Sequence, residues 1–258
     1  MIDVQDDAGI RTLYLAHGKA NAMDLELVQS IERAAAEAAV SDAKAIVITG
    51  AGSIFCAGVD LLRLVGSESA PKPEAEAREY AGRFVPALVQ MFLELFTLPK
   101  PLVVAVNGHA IAGGCILTLT GDYRIMARGG KIGIPEMLVG VPFPPAVIEI
   151  IRYAVSPQHL QTLMYSGRSV DADEAVRMGL VDEAVNPDAL QQRAMEMARH
   201  FASLAPANFL LSKRQLRDAA VSRARHYGNE LDDDIRDLWS DPERHAAIRA
   251  YIARTLRR

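Results

Sequence analysis

The sequence predicts an α/β protein built from stacked ββα units and completed by a helical C-terminal region. Three observations carry that expectation. Short β-branched runs alternate with helical segments up to residue 186. Glycine-rich turns stand at the ends of two of those runs. From residue 187 to 258 only helical patterning remains. The 258 residues, half of them hydrophobic, suffice for one large core or for one core with a helical appendage. No period of twenty to fifty residues recurs, which excludes a solenoid.

The elements follow in order. Strands are expected at 12–16, 45–49, 102–106, 123–127 and 181–185, each a short run rich in β-branched and apolar residues. Between the first two, residues 25–40 place Leu27, Ile31, Ala34, Ala35 and Ala38 on one helical face. The polar stretch 66–73, GSESAPKP, reads as a loop. Pro187 and Pro206 each stand where a helix can begin. Beyond them lie two apolar stripes, Leu231/Ile235/Leu238 and Ile248/Ile252/Leu256, which are expected to pack against another subunit.

Composition narrows the function. A net charge of −4 and the absence of a Lys/Arg stripe interleaved with aromatics argue against a nucleic-acid partner. No apolar run approaches the length that spans a bilayer, and the first twenty residues, with Asp3, Asp6 and Asp7, do not resemble a secretory leader. Cys56 and Cys115, in separate apolar contexts, read as buried reduced thiols of a cytoplasmic protein. No clustered His/Cys/carboxylate set suggests a metal.

The stretch ITGAGSIFCAGVDL, residues 48–61, starts like a dinucleotide-binding turn. Phe55 stands where the third glycine of that fingerprint is required, so the phosphate reading fails. Gly50 and Gly52 are then expected to serve a turn at positive φ. A second stretch, LVVAVNGHAIAGGCILTLTGDYRI, runs from a strand through a turn to Gly113-Gly114 at the head of an apolar helix. Two such turns, each with a glycine beside a free N–H, can aim two donors at one oxygen, the arrangement of an oxyanion hole.

FCAGVDL and NGHAIAGGC, followed by IPEMLVGVPF, resemble the crotonase (enoyl-CoA hydratase/isomerase) superfamily. The likeness runs from HGKANAMD at 17–24 to GRSVDADEAVRMGLVDEAV at 167–185, about two thirds of the chain. It implies a crotonase-like spiral of ββα units over residues 1–186, with a C-terminal helical oligomerisation region at 187–258. It also implies an acyl-CoA thioester substrate, no cofactor beyond the substrate's own CoA, and a homotrimer or dimer of trimers. Matched position by position, the thioester-binding amides fall on Val59 and Gly113 and the catalytic acid on Glu136. Lys19, Ala20, Ala22, Ala57, Asp60 and Leu61 fall on CoA-binding positions. Asp60 also suits an N-cap.

The hydratases of the family use a second glutamate three residues beyond the oxyanion glycine, and here that residue is Ile116. Phe143, Pro144 and Pro145 add bulk nearby. Both departures resemble the mitochondrial type of Δ3,Δ2-enoyl-CoA isomerase, in which one acid moves a proton without water. Enoyl-CoA hydration and non-catalytic acyl-CoA binding are the alternatives. Asp122 is expected to anchor a strand start, Glu149 to be a minor candidate for a second acid, His109 to be structural, and His17 and Cys115 to serve packing.

Overall fold

A computed structural model describes residues 1–255. The chain opens with β1 (Ile2–Asp7), β2 (Ile10–Leu15) and α1 (Leu25–Val40). There follow β3 (Ala45–Gly50), β4 (Ile54–Cys56), α2 (Leu61–Val65) and α3 (Glu74–Phe96). Next come β5 (Leu102–Val106), β6 (His109–Ile111), α4 (Gly113–Leu119), β7 (Tyr123–Ala127), β8 (Ile132–Gly133) and α5 (Glu136–Val139). The chain continues with α6 (Pro145–Ala154), α7 (Pro157–Ser166), β9 (Ser169–Val170), α8 (Ala172–Met178) and β10 (Glu183–Val185). A 3₁₀ turn at Pro187–Ala189 leads into α9 (Leu190–Ala202), α10 (Pro206–Trp239) and α11 (Pro242–Thr255).

Six strands form one sheet in the order β1-β2-β3-β5-β7-β10, parallel except for the β1–β2 hairpin. A smaller sheet runs β4-β6-β8-β9, with its first three strands parallel. The apolar runs of β3 and β5 suit strands covered on both faces. Side chains alternate across β3: Ile46 and Ile48 join the main core, whereas Ala45 and Val47 meet Leu190, Ala194 and Ala198 of α9 on the other face.

The fold class is as expected, with a spiral of ββα units. Three consecutive units send their first strand (β3, β5, β7) to the large sheet and their second (β4, β6, β8) to the small one. Each then closes with a helix: α2, α4 or α5. Because β4, β6 and β8 are neighbours, the starts of those three helices converge.

Several local expectations change. Gly52 has φ 79°, but Gly50 is absent from the positive-φ glycines. Gly50 is instead crowded, since a β-carbon there would lie 2.7 Å from Asn107 Oδ1 and 2.8 Å from the Ile54 carbonyl. His17 is more than packing, because its Nε2 lies 2.8 Å from Asp24 Oδ2, and Asp24 caps α1 through the Leu27 N–H. The strand β1 and the long helix α3 are additions to the expected elements.

The expected subunit contact of the last stripe is also corrected. Ile248 and Ile252 are buried in this chain's own core, because α11 folds back on α2 and α5; Leu256 lies outside the described residues. In the other stripe Leu231 is exposed and Ile235 leans on the core.

A polar knot ties α10 to the sheet. Asp122 accepts from the Leu102 N–H at 2.8 Å, from Lys213 at 2.7 Å and from Arg217 at 2.9 Å, anchoring the strand start as expected. Arg217 also donates to the carbonyls of Phe96, Thr120 and Gly121.

Candidate active site

The converging helix starts open on a cavity of about 480 Å³. Each of the three units contributes one predicted group at the same structural position, just after its second strand. Val59 follows β4, Gly113 is the first residue of α4, and Glu136 is the first residue of α5. All three line the cavity.

The two backbone donors are brought together by close packing between chain segments. Gly58 has φ 85°, and a β-carbon on it would lie 2.7 Å from the Ile111 carbonyl and 3.1 Å from the Gly113 nitrogen. On the other side the segment is fixed by a short bridge: Met23 donates to the Gly58 carbonyl at 2.7 Å, and Asp60 donates to the Met23 carbonyl at 2.9 Å. Among the described residues neither the Val59 N–H nor the Gly113 N–H has a hydrogen-bond partner. A β-carbon on Gly113 would crowd Met23, lying 3.0 Å from its Sδ. The two residues that carry these donors line the same cavity.

Glu136 lies between Pro135, at the N-cap of α5, and Met137. Among the described residues its buried Oε2 has no hydrogen-bond partner. Burial pushes the carboxyl up to about 8, against the opposing pull of its own backbone N–H. A carboxyl so placed can accept and return a proton near neutrality. The wall around it is apolar: Ile116 is buried at the position where a second glutamate would stand, and Phe143 and Pro144 also face the cavity.

Of the residues matched to CoA-binding positions, Ala20, Ala22, Ala57, Asp60 and Leu61 line the cavity; Lys19 is exposed and does not. Asp60 caps α2, its Oδ1 accepting from the Arg63 N–H at 3.0 Å. Other candidates stand elsewhere. His109 is exposed, its Nδ1 accepting from the Lys131 N–H. Glu149 is buried but paired with Arg152 and Arg223, away from the cavity wall. Burial raises the thiols of Cys56 and Cys115 well above the ordinary range.

Sequence reasoning missed the far side of the cavity. Leu88 and Phe92 come from α3, while Trp239, Tyr251 and Ile252 come from the end of α10 and from α11. The apolar spacing of Phe84, Leu88, Phe92 and Leu95 was a usable signal for α3. Nothing local signals that the terminal helix returns to the site. The end of α10 is held there by the Trp239 indole N–H, which donates to the Pro142 carbonyl at 3.1 Å, and α11 is tied to it through His245, whose Nε2 lies 2.7 Å from the Trp239 carbonyl.

Comparison with known proteins identifies the family and the fold. The family model for enoyl-CoA hydratase/isomerase matches residues 5–253. A probable enoyl-CoA hydratase of Mycobacterium tuberculosis is 32% identical over 220 residues, covering 84% of this chain and 80% of the relative. An enoyl-CoA isomerase from the same organism, solved without ligand, superposes with a TM-score of 0.81 at 27% identity, over 90% of this chain and 97% of the other. Human mitochondrial Δ3,Δ2-enoyl-CoA isomerase gives a TM-score of 0.89 over 98% of this chain and 97% of its own, at 22% identity, a likeness of fold alone.

Proposed function

The chain belongs to the enoyl-CoA hydratase/isomerase family, and from that premise we propose that it is an enoyl-CoA isomerase using one acid. The observation that carries this reading is the pairing of Glu136 with Ile116. Among the described residues the cavity wall holds one carboxyl with a buried, unpartnered oxygen, and an aliphatic side chain stands where a second carboxylate would position water.

The amides of Val59 and Gly113 would bind the thioester oxygen of a 3-enoyl-CoA. Glu136, as carboxylate, would take a proton from C2 while the two donors receive the charge that develops on oxygen. The resulting dienolate would recover the proton at C4 from the same carboxyl, moving the double bond from C3–C4 to C2–C3. No water and no added cofactor enters that balance. CoA would lie along the Ala20, Ala22 and Ala57 side, with Lys19 at its outer edge. Assembly into trimers belongs to the same proposal, supported by the exposed Leu211, Leu216 and Leu231 on α10.

A second reading, hydration of 2-enoyl-CoA, is favoured by the name of the M. tuberculosis relative. Side-by-side turnover of 3-enoyl-CoA and 2-enoyl-CoA, with products resolved by mass, separates the two. Double-bond migration is expected to exceed hydration by a large factor. Rapid water addition by the unmodified protein would instead establish the hydratase reading.

A further inference from the structure

Three non-glycine residues in the described chain have positive φ: Ala8, Asn21 and Ala112. Two have local explanations. Ala8 and Gly9, at φ 48° and 81°, form the two-residue turn of the β1–β2 hairpin, a turn type that requires positive φ at both positions. Asn21 is a residue type that tolerates this region, and its side chain is fixed by bonds to the Ile54 and Phe55 carbonyls and to the His17 N–H. Ala112, at φ 54° and ψ −125°, has neither explanation. That backbone lies outside the left-handed helical well and is strained for any residue with a β-carbon.

The surroundings of Ala112 hold it there from both sides. Its N–H donates to the Gly133 carbonyl at 2.8 Å, which ties it to the strand leading into Glu136. Its carbonyl accepts from the Cys115 N–H at 2.8 Å and the Ile116 N–H at 3.2 Å. A trans peptide points its N–H opposite to its C=O. With the Ala112 carbonyl turned into the first turn of α4, the Gly113 N–H must point out of that turn, toward the cavity. The methyl group of Ala112 sits against Gly58, where a β-carbon on Gly58 would lie only 2.6 Å from it. Gly58 immediately precedes Val59, so this methyl separates the two segments that carry the donors.

We infer that Ala112 is a positioning residue: its backbone aims the Gly113 N–H, and its methyl sets that donor's place relative to the N–H of Val59. Glycine would adopt the same φ and ψ without strain. What alanine adds is the spacer. The inference rests on the isomerase reading above, in which both amides bind the thioester oxygen.

The test uses the full chain with Ala112→Gly, beside Ala8→Gly, which relieves a positive-φ alanine far from the cavity. Turnover of 3-enoyl-CoA is measured together with the absorbance shift of a bound 2,4-dienoyl-CoA, a conjugated thioester whose spectrum reports polarisation of its carbonyl. Ala112→Gly is expected to lower kcat about tenfold, to leave KM within about threefold, and to shrink the red shift, with little change in melting temperature. Ala8→Gly should match the wild type in all three. Ala112→Ser, which restores the β-carbon, should recover most of the red shift. Wild-type kcat and red shift in Ala112→Gly would overturn the inference, as would equal losses in Ala8→Gly. A wild-type protein with neither isomerase turnover nor red shift fails differently, because it removes the reading on which this inference rests.

Discussion

Three largely buried carboxylates, Asp122, Glu149 and Glu136, are treated in opposite ways by this protein. Asp122 collects a backbone N–H, Lys213 and Arg217. Glu149 collects Arg152 and Arg223. Among the described residues Glu136 keeps one buried oxygen with no partner, in an apolar cavity beside two backbone N–H groups that also lack one. A paired buried charge is fixed in place by its partners and serves architecture. An unpaired one sits at a raised pKa and is ready to exchange a proton, at a cost to stability. The same residue chemistry thus yields a fastener at the α10 knot and, in the function proposed, the proton-exchanging group at the start of α5.

The comparison can be broken by moving partners. The largest effect is expected from Glu136→Gln, which should reduce double-bond migration by at least about a thousandfold while acyl-CoA binding, read by calorimetry, stays nearly constant. A loss of only a fewfold would redirect attention to another acid. Next comes Gly113→Pro, which deletes one donor N–H and should lower turnover about a hundredfold, whereas Val59→Ala keeps its amide and should cost little. Equal damage from the two would mean that side chains, and not backbone donors, hold the thioester.

Asp122→Asn should lower stability by about 3–5 kcal/mol in denaturant unfolding, because Lys213 and Arg217 stay buried without their counter-charge. A change under about 1 kcal/mol would remove the fastener side of the comparison.

The smallest effect sharpens the other side. The Glu136 pKa is raised from an ordinary 4.5 to about 8, so between those values the folded state holds a proton that the unfolded state has lost. Its contribution to stability therefore falls as pH rises through that window. Replacing it with glutamine should leave melting unchanged near pH 4 and stabilise the protein by up to a few kcal/mol above pH 8, since a tenfold change in a protonation equilibrium is worth about 1.4 kcal/mol. A gain independent of pH would point to packing.

Much of the site was legible because glycine and strand signals are local. β5 and β7 have the expected ends, α1 spans 25–40 as its apolar face implied, and the turns at Gly58 and Gly113 stand beside free amides. Ile116 was legible as a departure from a pattern. What was hidden depends on contacts distant in sequence. The polar first half of α3, EAEAREYAGR, masks the apolar face that places Phe92 against the cavity. The stripe at Ile248 and Ile252 has the same appearance whether it meets another subunit or its own chain, and only tertiary packing turns it inward. The strain at Ala112 has no composition signal, because alanine is ordinarily a residue of helices.

The most direct test of the central claim, that burial without a partner makes Glu136 the proton-exchanging group, is the pH dependence of kcat/KM for 3-enoyl-CoA. Removing the C2 proton requires the ionised carboxylate of the free enzyme, so the rate should rise with pH and level off above an apparent pKa of about 8. A profile already flat from pH 6 upward would show that the reacting base is ionised at ordinary carboxylate pKa, and would contradict the account.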